Sequence, residues 1–317
     1  MTRYLVTGGA GFIGHHIVRA LLAGGHAVRV IDNLSTGRRA NLDGLDVEFI
    51  AGDIRDAALC REVCDGVEFV FHQAAFVSVP ASLADPVACH EVNVTGSLNV
   101  FRAAADAGAR RVVYASSCAV YGDTDKPALA ETDAGALLSP YAASKLASEL
   151  YGRIFPACYG LDTVGLRYFN VFGPRQDPNS PYAAVIPLFA KALLDGTSPT
   201  IFGDGEQTRD FVYVDNVVSA NLKAAHDAPP CAHVFNVGTG VGTSVNRLAE
   251  LVRAELGSDL RPVHAEPRAG DIRHSRATID RVVSTLGYVP AVSLEDGLTR
   301  TVRAYREEYA ALKKSAS

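Results

Sequence analysis

Thr7-Gly8-Gly9-Ala10-Gly11-Phe12-Ile13-Gly14, directly after the apolar run Tyr4-Leu5-Val6, is the stretch that decides the fold. The pattern predicts a buried strand that turns through glycines into a helix. Gly8 permits the tight turn, Gly11 lets backbone N–H groups approach an anion, and Gly14 allows close packing. The helix N-terminus then faces a phosphate. An ordinary strand–helix turn is the alternative for a glycine triplet alone.

A second apolar run, 27–31, ends in Asp32-Asn33 about 20 residues after the glycine turn. An acidic side chain at that distance accepts hydrogen bonds from an adenosine ribose and repels a 2′-phosphate. We therefore expect NAD as the cofactor. Arg38 and Arg39 follow closely and can hold a 2′-phosphate, which leaves NADP open.

Length and composition fit a folded protein with one large and one smaller lobe. The chain has 317 residues, 48% hydrophobic residues and a net charge of −5, without the basic excess of a nucleic-acid binder. We expect no nucleic-acid partner, no membrane span, no leader segment and a cytoplasmic location. The histidines show no metal-ligand spacing, so we expect no metal, and the cysteines should be buried thiols. These cysteines are Cys60, Cys64, Cys89, Cys118, Cys158 and Cys231.

Apolar strands alternate with amphipathic helices through the first half of the chain. The alternation predicts an α/β fold, a Rossmann-type doubly wound parallel sheet with a smaller, discontinuous C-terminal lobe. We place the NAD-binding domain at 1–172, with 211–240 returning to it, and the substrate lobe at 173–210 and 241–317. The expected strands are 3–7, 27–31, 47–50, 68–72, 111–116, 163–168, 199–202 and 233–237. The expected helices lie near 12–24, 56–64, 88–107, 141–158, 183–195, 244–257 and 295–313.

Tyr141 and Lys145 lie four residues apart at the start of a predicted helix, and this spacing puts both on one face. A lysine and a positively charged nicotinamide nearby favour the phenolate, which makes the tyrosine a usable base. The strand at 111–116 delivers Ser116 and Ser117 at its carboxyl end, where one hydroxyl can hold the same substrate oxygen. A core tyrosine beside a surface lysine is the alternative.

Together with the glycine turn, these blocks resemble the NAD-dependent epimerase/dehydratase group of extended short-chain dehydrogenases/reductases. The resemblance covers essentially the whole chain, and the later blocks most resemble bacterial UDP-N-acetylglucosamine 4-epimerases, relatives of UDP-galactose 4-epimerase. It implies reversible inversion at C4 of a UDP-hexose through a transient 4-keto sugar, with NAD retained. The blocks are TGGAGFIG at 7–14, HQAA at 72–75, SSCAVYG at 116–122, SPYAASK at 139–145, RYFNVFGPRQDP at 167–178, GDGEQTRDFVYV at 203–214 and AGDIRHS at 269–275.

The resemblance assigns roles by matching position. Ser117, Tyr141 and Lys145 are the implied catalytic residues. The implied NAD contacts are Gly8, Gly11, Phe12, Ile13, Gly14, Asp32, Asn33, Asp53, Ile54, Gln73, Ala74, Ala75, Asn93, Ser116, Tyr141, Lys145 and Tyr168. The implied UDP-sugar contacts are Ser78, Ser117, Tyr141, Asn170, Phe202, Arg209, Arg268, Asp271 and Ser275.

Bland alternatives remain for several of the sugar-side residues. Arg209 can be a surface charge paired with Asp210, although guanidinium groups suit a diphosphate. Asn170 can bond a loop backbone and Phe202 can be core, while Asp271 can serve a turn.

Ser275 bears on the choice of sugar. The resemblance implies that its position borders the C2 substituent of the sugar, where a tyrosine excludes an N-acetyl group and a small residue admits it. An ordinary loop serine is the alternative.

Three other functions compete. A 4,6-dehydratase carries Asp-Glu after the catalytic hydroxyl, where this chain has Cys118-Ala119. A UDP-glucuronate 4-epimerase or decarboxylase needs a cation for the C6 carboxylate, and we identify none. A non-catalytic NAD-binding regulator usually lacks the tyrosine or the lysine. The resemblance also implies a homodimer built through the helices at 88–107 and 141–158.

Overall fold

The computed structural model describes residues 2–178, 184–231, 233–267 and 272–315. The strands are β1 Arg3–Thr7, β2 Ala27–Asp32, β3 Glu48–Ala51, β4 Phe69–His72, β5 Arg111–Ser117, β6 Asp162–Tyr168, β7 Asn170–Phe172, β8 Thr200–Phe202, β9 Thr208–Arg209, β10 Phe211–Tyr213, β11 His233–Val237, β12 Thr243–Ser244, β13 Val263–Ala265 and β14 His274–Ser275. The helices are α1 Phe12–Ala23, α2 Ala57–Cys64, α3 Val79–Ala84, α4 Pro86–His90, α5 Ser97–Asp106, α6 Pro140–Tyr159, α7 Val185–Leu194, α8 Val214–His226, α9 Val245–Leu256, α10 Asp280–Leu286 and α11 Leu294–Ser315.

The main sheet has seven parallel strands in the order β11-β6-β5-β4-β1-β2-β3, which confirms the predicted doubly wound α/β fold. The chain runs outward from β1 to β3 and then crosses back to β4, on the other side of β1. A crevice opens at such a reversal, beyond the carboxyl ends of β1 and β4, and ligands bind there in this architecture. Thr7 and His72 are the last residues of these two strands and lie side by side in register.

Apolar side chains cover both faces of the sheet. Ile17 and Val18 of α1 pack with Val217 of α8 on one face. Phe101 of α5 and Phe155 of α6 pack on the other. Continuous burial on both faces explains why the central strands are almost wholly apolar.

A third apolar cluster lies in the C-terminal part of the chain, where α7 and α9 pack against α11. Small sheets surround it: β8 pairs with β13, and β9 pairs with β12 and β14. β11 joins the main sheet as expected, whereas β10 pairs with β7 in a separate ribbon. The domain boundaries themselves stay a prediction.

The structure bears out the helical stretch expected at 88–107, but its hydrogen bonding is not α-helical throughout. The stretch consists of α4, a π-helical turn at Glu91–Gly96 and α5 in direct succession, with right-handed helical backbone where they join. Asp85 caps α4 by accepting from the Ala88 N–H. A short helix, α3, precedes it and was not predicted. Single π-helical turns occur frequently at functional sites, and this one carries Asn93.

No helix among the described residues is long and apolar enough to cross a membrane. The same residues contain no group of three or more acidic, histidine or cysteine side chains that could hold a metal ion. Cys60, Cys64 and Cys89 are buried free thiols, as expected. The prediction is wrong for Cys158 and Cys231, which are exposed because they lie near the end of α6 and on the turn before β11.

Candidate active site

The glycine turn is packed too closely for side chains. Gly8 has a φ of +67°, and a Cβ there would lie 2.6 Å from the backbone nitrogen of Ala74. A Cβ on Gly14 would lie 2.2 Å from the carbonyl oxygen of Gly8. Gly11 precedes α1, whose N-terminus has neither a side-chain cap nor an acidic residue in its first turn, formed by Phe12 and Ile13. This bare, positive helix end fits the pyrophosphate of a dinucleotide.

Asp32 ends β2 beside the turn and is 7% exposed. Its two carboxylate oxygens accept from the N–H groups of Ala10 at 2.9 Å and Leu34 at 2.8 Å. Burial raises the pKa of Asp32, and these backbone hydrogen bonds oppose the rise. The carboxylate is thereby oriented by the turn itself, at the position where a ribose hydroxyl would donate to it.

The two arginines that left NADP open are directed elsewhere. Arg38 forms an ion pair with Asp177 at 2.6 Å, and the guanidinium of Arg39 lies 4.6 Å from the centre of the Phe49 ring. These contacts support NAD over NADP, in agreement with the acidic side chain at the end of β2.

Asn33, Asp53 and Ile54 line the outer side of this edge. Asn33 Nδ2 donates to Asp53 Oδ2 at 2.9 Å. The Arg55 guanidinium and the other donors around Asp53 hold the pKa of that carboxyl at about 2. Ile54 is buried and packs against Gly96 of the π-helical turn. Their predicted contacts with the adenosine half stay predictions.

Gln73, Ala74 and Ala75 leave β4 and cross the edge of the sheet. Tyr168 holds Gln73 in place, because its hydroxyl donates to Gln73 Oε1 at 3.1 Å. Asn221 on α8 donates back to the Tyr168 hydroxyl at 2.8 Å. Tyr168 and Asn221 thus hold the start of the loop that follows β4.

Asn93 anchors the end of the same loop. Its Oδ1 accepts from the Phe76 N–H at 2.7 Å, and its Nδ2 donates to the Phe76 carbonyl at 3.0 Å and to Ser144 Oγ at 2.9 Å. Asn93 is 2% exposed. The structure therefore uses its amide to hold the loop main chain against α6, and its predicted contact with NAD stays a prediction.

Ser116 and Ser117 point in opposite directions, as successive residues of a strand must. The Ser116 hydroxyl donates to Glu149 Oε1 at 2.5 Å, within a buried ion pair between Glu149 and Arg167. Ser117 instead lies beside the Tyr141 hydroxyl and lowers the pKa of that group. Ser117, the catalytic serine that the resemblance implies, is thus the one that faces the tyrosine.

Tyr141 and Lys145 share the first turns of α6, with the Lys145 nitrogen 5.9 Å from the centre of the Tyr141 ring. Burial raises the pKa of Tyr141 to about 12, although the neighbouring Ser117 side chain opposes the rise. Burial also lowers the pKa of Lys145 to about 8, and its ammonium donates to the Ala115 carbonyl at 2.9 Å. The predicted tuning of the phenol by Lys145 and a nicotinamide therefore concerns the cofactor-bound protein.

The sugar-side residues meet this centre through Cys118. Ser275 lies beside the Cys118 thiol. Burial raises the pKa of that thiol to about 11, while Arg209 and Ser275 oppose the rise. Ser275 is 6% exposed and pairs with Arg209 across the short strands β14 and β9. C-terminal residues thus lie directly beside the catalytic strand.

Asp210 does not serve as a surface partner of Arg209. It is fully buried, and its carboxylate accepts from the Thr239 N–H and hydroxyl, the Gly240 N–H and the Ala277 N–H. Four donors satisfy the charge within the fold, and they join the loop after β11 to Ala277, two residues after β14.

The other predicted sugar contacts lie around the same opening or outside the described residues. Ser78 caps α3 by accepting from the Ala81 N–H at 3.0 Å. The Asn170 N–H donates to the Asp210 carbonyl at 2.9 Å, so its backbone joins the loop while its half-buried side chain stays at the edge. Phe202 ends β8 and is half-buried. Arg268 and Asp271 lie outside the residues that the structure describes.

Sequence reasoning missed the supporting residues of the site. Glu149, Arg167, Thr7 and His72 are all buried, and none of them was assigned a role. Tyr-x₃-Lys is followed by Glu149 four residues later on the same helical face. That spacing was the available signal, but only the fold brings Arg167 to it.

Comparisons with known proteins agree with this geometry. The model of the NAD dependent epimerase/dehydratase family matches residues 4–238. A UDP-glucose 4-epimerase of Mycolicibacterium smegmatis is 42% identical over 312 residues, covering 96% of this chain and 99% of the relative. The regions matched by the family model and by this relative both reach far beyond the glycine turn.

Solved structures extend the agreement to three dimensions. A UDP-N-acetylglucosamine 4-epimerase from Methanobrevibacter ruminantium, in complex with UDP-N-acetylmuramic acid, has a TM-score of 0.93 at 42% identity, covering 97% of this chain and 99% of that chain. A Thermus thermophilus UDP-glucose 4-epimerase complexed with NAD has a TM-score of 0.88 at 39% identity, covering 96% and 99%. The chain belongs to the NAD-dependent epimerase/dehydratase family, and NAD is its cofactor.

Proposed function

We propose that this NAD-dependent UDP-sugar 4-epimerase interconverts UDP-N-acetylglucosamine and UDP-N-acetylgalactosamine, and that it also accepts UDP-glucose and UDP-galactose. The observation that carries the choice of sugar is Ser275, a small, buried side chain that lies beside Cys118, the neighbour of Ser117. A small residue at this wall leaves space beside the sugar. A tyrosine in its place would occupy that space.

The reaction that we propose uses three side chains. Bound NAD accepts hydride from C4 of the sugar and returns it to the opposite face. Tyr141 removes the proton of the 4-hydroxyl and later gives it back, while Ser117 holds the oxygen. Lys145 lies beneath the tyrosine and supplies the positive charge that favours its phenolate.

The absence of an acid pair after Ser117 argues against a dehydratase. Elimination of the 6-hydroxyl needs groups that remove the C5 proton and protonate the leaving oxygen. Cys118 and Ala119 occupy those positions, and burial raises the pKa of the Cys118 thiol to about 11. Neither residue transfers a proton in that role, so the keto sugar is reduced again.

The partner that we propose is a second copy of this chain. Leu83 on α3 and Val87 on α4 are more than 60% exposed, and Leu150 and Ile154 on α6 are about half exposed. Apolar side chains at this density mark an interaction surface rather than a solvated face. A cytoplasmic location stays a prediction.

The role of Tyr141 predicts a loss of chemistry without loss of binding. Tyr141→Phe should lower kcat by at least ~10²-fold, the usual scale of a positioned acid–base group. NAD content and UDP affinity should stay near wild type. Tyr159→Phe, at the exposed end of the same helix, is the matched control. Turnover of Tyr141→Phe within a few-fold of wild type would contradict the assignment.

Retention of NAD predicts that denatured, extensively dialysed protein releases close to one NAD(H) per chain, because each cycle ends with the cofactor in its starting state. Asp32→Asn should increase the uptake of NADP by cofactor-free protein, since the repelling charge is gone. Asp46→Asn, an exposed position, should not. A supernatant containing mainly NADP(H) would refute the argument from Asp32.

The proposed sugar preference predicts that wild type acts on the two acetamido sugars with kcat/KM at least comparable to UDP-glucose and UDP-galactose. Ser275→Tyr should selectively reject the acetamido pair, because overpacking costs ~1–3 kcal/mol, or about 5- to 150-fold. Ser284→Tyr, on the exposed side of α10, controls for the added ring. Assays of all four sugars decide the matter: a wild type inactive on both acetamido sugars, or equal losses in the mutant, overturns the proposal.

The exposed apolar surface predicts a dimer by light scattering coupled to gel filtration. The double variant Leu150→Asp and Ile154→Asp should be monomeric, since two charges cannot be buried there without partners. Val263→Asp places the same charge on an exposed valine of β13 and should leave the dimer intact. A monomeric wild type would exclude this surface as a stable interface.

A further inference from the structure

His72 is a buried titratable group that the reaction does not use. It ends β4, is 4% exposed, and lies beside Thr7, which ends β1 and is fully buried. Gln73 follows His72 in the chain, and Gly8 follows Thr7. Both side chains therefore lie directly beneath the crevice that holds the cofactor, and neither reaches it.

The hydrogen bonds around His72 determine which ring nitrogen carries the proton, because one of them ends at a carbonyl, which can only accept. The Ser97 hydroxyl donates to the Asn93 carbonyl at 2.5 Å, because a carbonyl can only accept. Ser97 has no second proton, so the His72 Nε2, at 2.9 Å from Ser97 Oγ, is the donor in that contact. His72 thus carries its proton on Nε2.

The other ring nitrogen must then accept. Thr7 Oγ1 lies 2.7 Å from His72 Nδ1 and donates to it. The same oxygen accepts from the Ala74 N–H at 3.1 Å. The resulting chain runs from Ala74 through Thr7, His72 and Ser97 to Asn93, and each donor and each proton is used once.

A neutral imidazole is the only form that completes this chain. With protons on both nitrogens, the Thr7 hydroxyl would lose its acceptor inside the fold, at the cost of a buried unsatisfied group. Burial, and after it the positive charge of Lys145, lowers the pKa of His72 to about 3. The ring therefore stays uncharged at neutral pH.

The chain holds the Gln73–Phe76 loop at two points. At one end, the Thr7 hydroxyl accepts from the Ala74 N–H. The nitrogen of this amide lies so close to Gly8 that a Cβ on Gly8 would be only 2.6 Å from it. At the other, Asn93 binds both backbone groups of Phe76. Asn93 also contacts Ser144, whose hydroxyl donates to the Tyr141 carbonyl at 2.8 Å. These hydrogen bonds join the loop to the residue before the glycine turn and to the catalytic helix α6.

We propose that His72 is a positioning residue that retains NAD: its neutral Nε2–H imidazole, through Thr7 and Ser97, sets the spacing between the glycine turn and the Gln73–Phe76 loop. The role concerns cofactor retention and leaves the proton transfer to Tyr141. It depends on NAD as cofactor and is independent of which sugar is turned over.

The test compares Thr7→Val with Thr7→Ser. Valine has the shape of threonine without its hydroxyl, so it removes the donor to His72 and the acceptor for Ala74 together. NAD should leave Thr7→Val protein about tenfold faster than wild type, as expected for an unsatisfied buried amide. Serine keeps the hydroxyl and should restore retention. With saturating NAD, kcat of Thr7→Val should recover to within about threefold.

Thr163→Val controls for loss of a buried threonine hydroxyl. Thr163 is also fully buried and donates to the Gly152 carbonyl at 2.5 Å. It lies at the N-terminal end of β6, at the edge of the sheet away from the cofactor crevice. It should lower stability without releasing NAD. If Thr7→Val does not fold, Ser97→Ala, which removes the acceptor for Nε2, should release NAD in the same direction.

Nitrogen-15 NMR of the imidazole adds a direct readout, because it distinguishes the two neutral tautomers and the charged ring. We expect His72 to remain neutral with its proton on Nε2 from pH 5 to pH 8. Equal NAD release from the valine and serine variants, release from Thr163→Val as large as from Thr7→Val, or a proton found on Nδ1 would each overturn the proposal.

Discussion

Close approach of backbone to backbone is the constraint on which the rest of the site depends. Gly8, Gly14 and Ala74 meet at distances where a Cβ would lie within 2.6 Å of main-chain atoms. Their contact brings the N-terminus of α1 and the loop after β4 to one edge, at the point where the strand order reverses. Cofactor, catalytic strand and catalytic helix are all placed relative to this edge.

Two adjacent serines show how one strand serves structure and chemistry at once. Ser116 points into the Glu149–Arg167 ion pair, which is almost wholly excluded from solvent. Ser117 points into the crevice toward Tyr141. A buried pair with its remaining acceptors satisfied holds the strand end in one arrangement, whereas removal of one partner would leave an uncompensated charge. The reactive hydroxyl is therefore positioned by the residue beside it.

The C-terminal part of the chain reaches the same strand through polar and apolar contacts. Ser275 lies beside Cys118, and Asp210 joins the loop after β11 to Ala277, two residues after β14. A small apolar cluster of Tyr121, Leu129, Phe169 and Ala277, against which Cys118 packs, joins the same elements. Polar and apolar contacts together thus place these short strands beside Ser117.

The sequence by itself determined the fold class, the glycine turn, Asp32 at the end of β2, and the pairing of Tyr141 with Lys145, because periodicity and short spacings are local properties. Tertiary structure alone decided that Ser116 enters the Glu149–Arg167 ion pair, where Arg38 points, that the helical stretch at 88–107 contains a π-helical turn, and that Thr7, His72, Ser97 and Asn93 form one chain. These features join residues that are distant in sequence, and their hydrogen bonds exist only after the sheet has assembled in register.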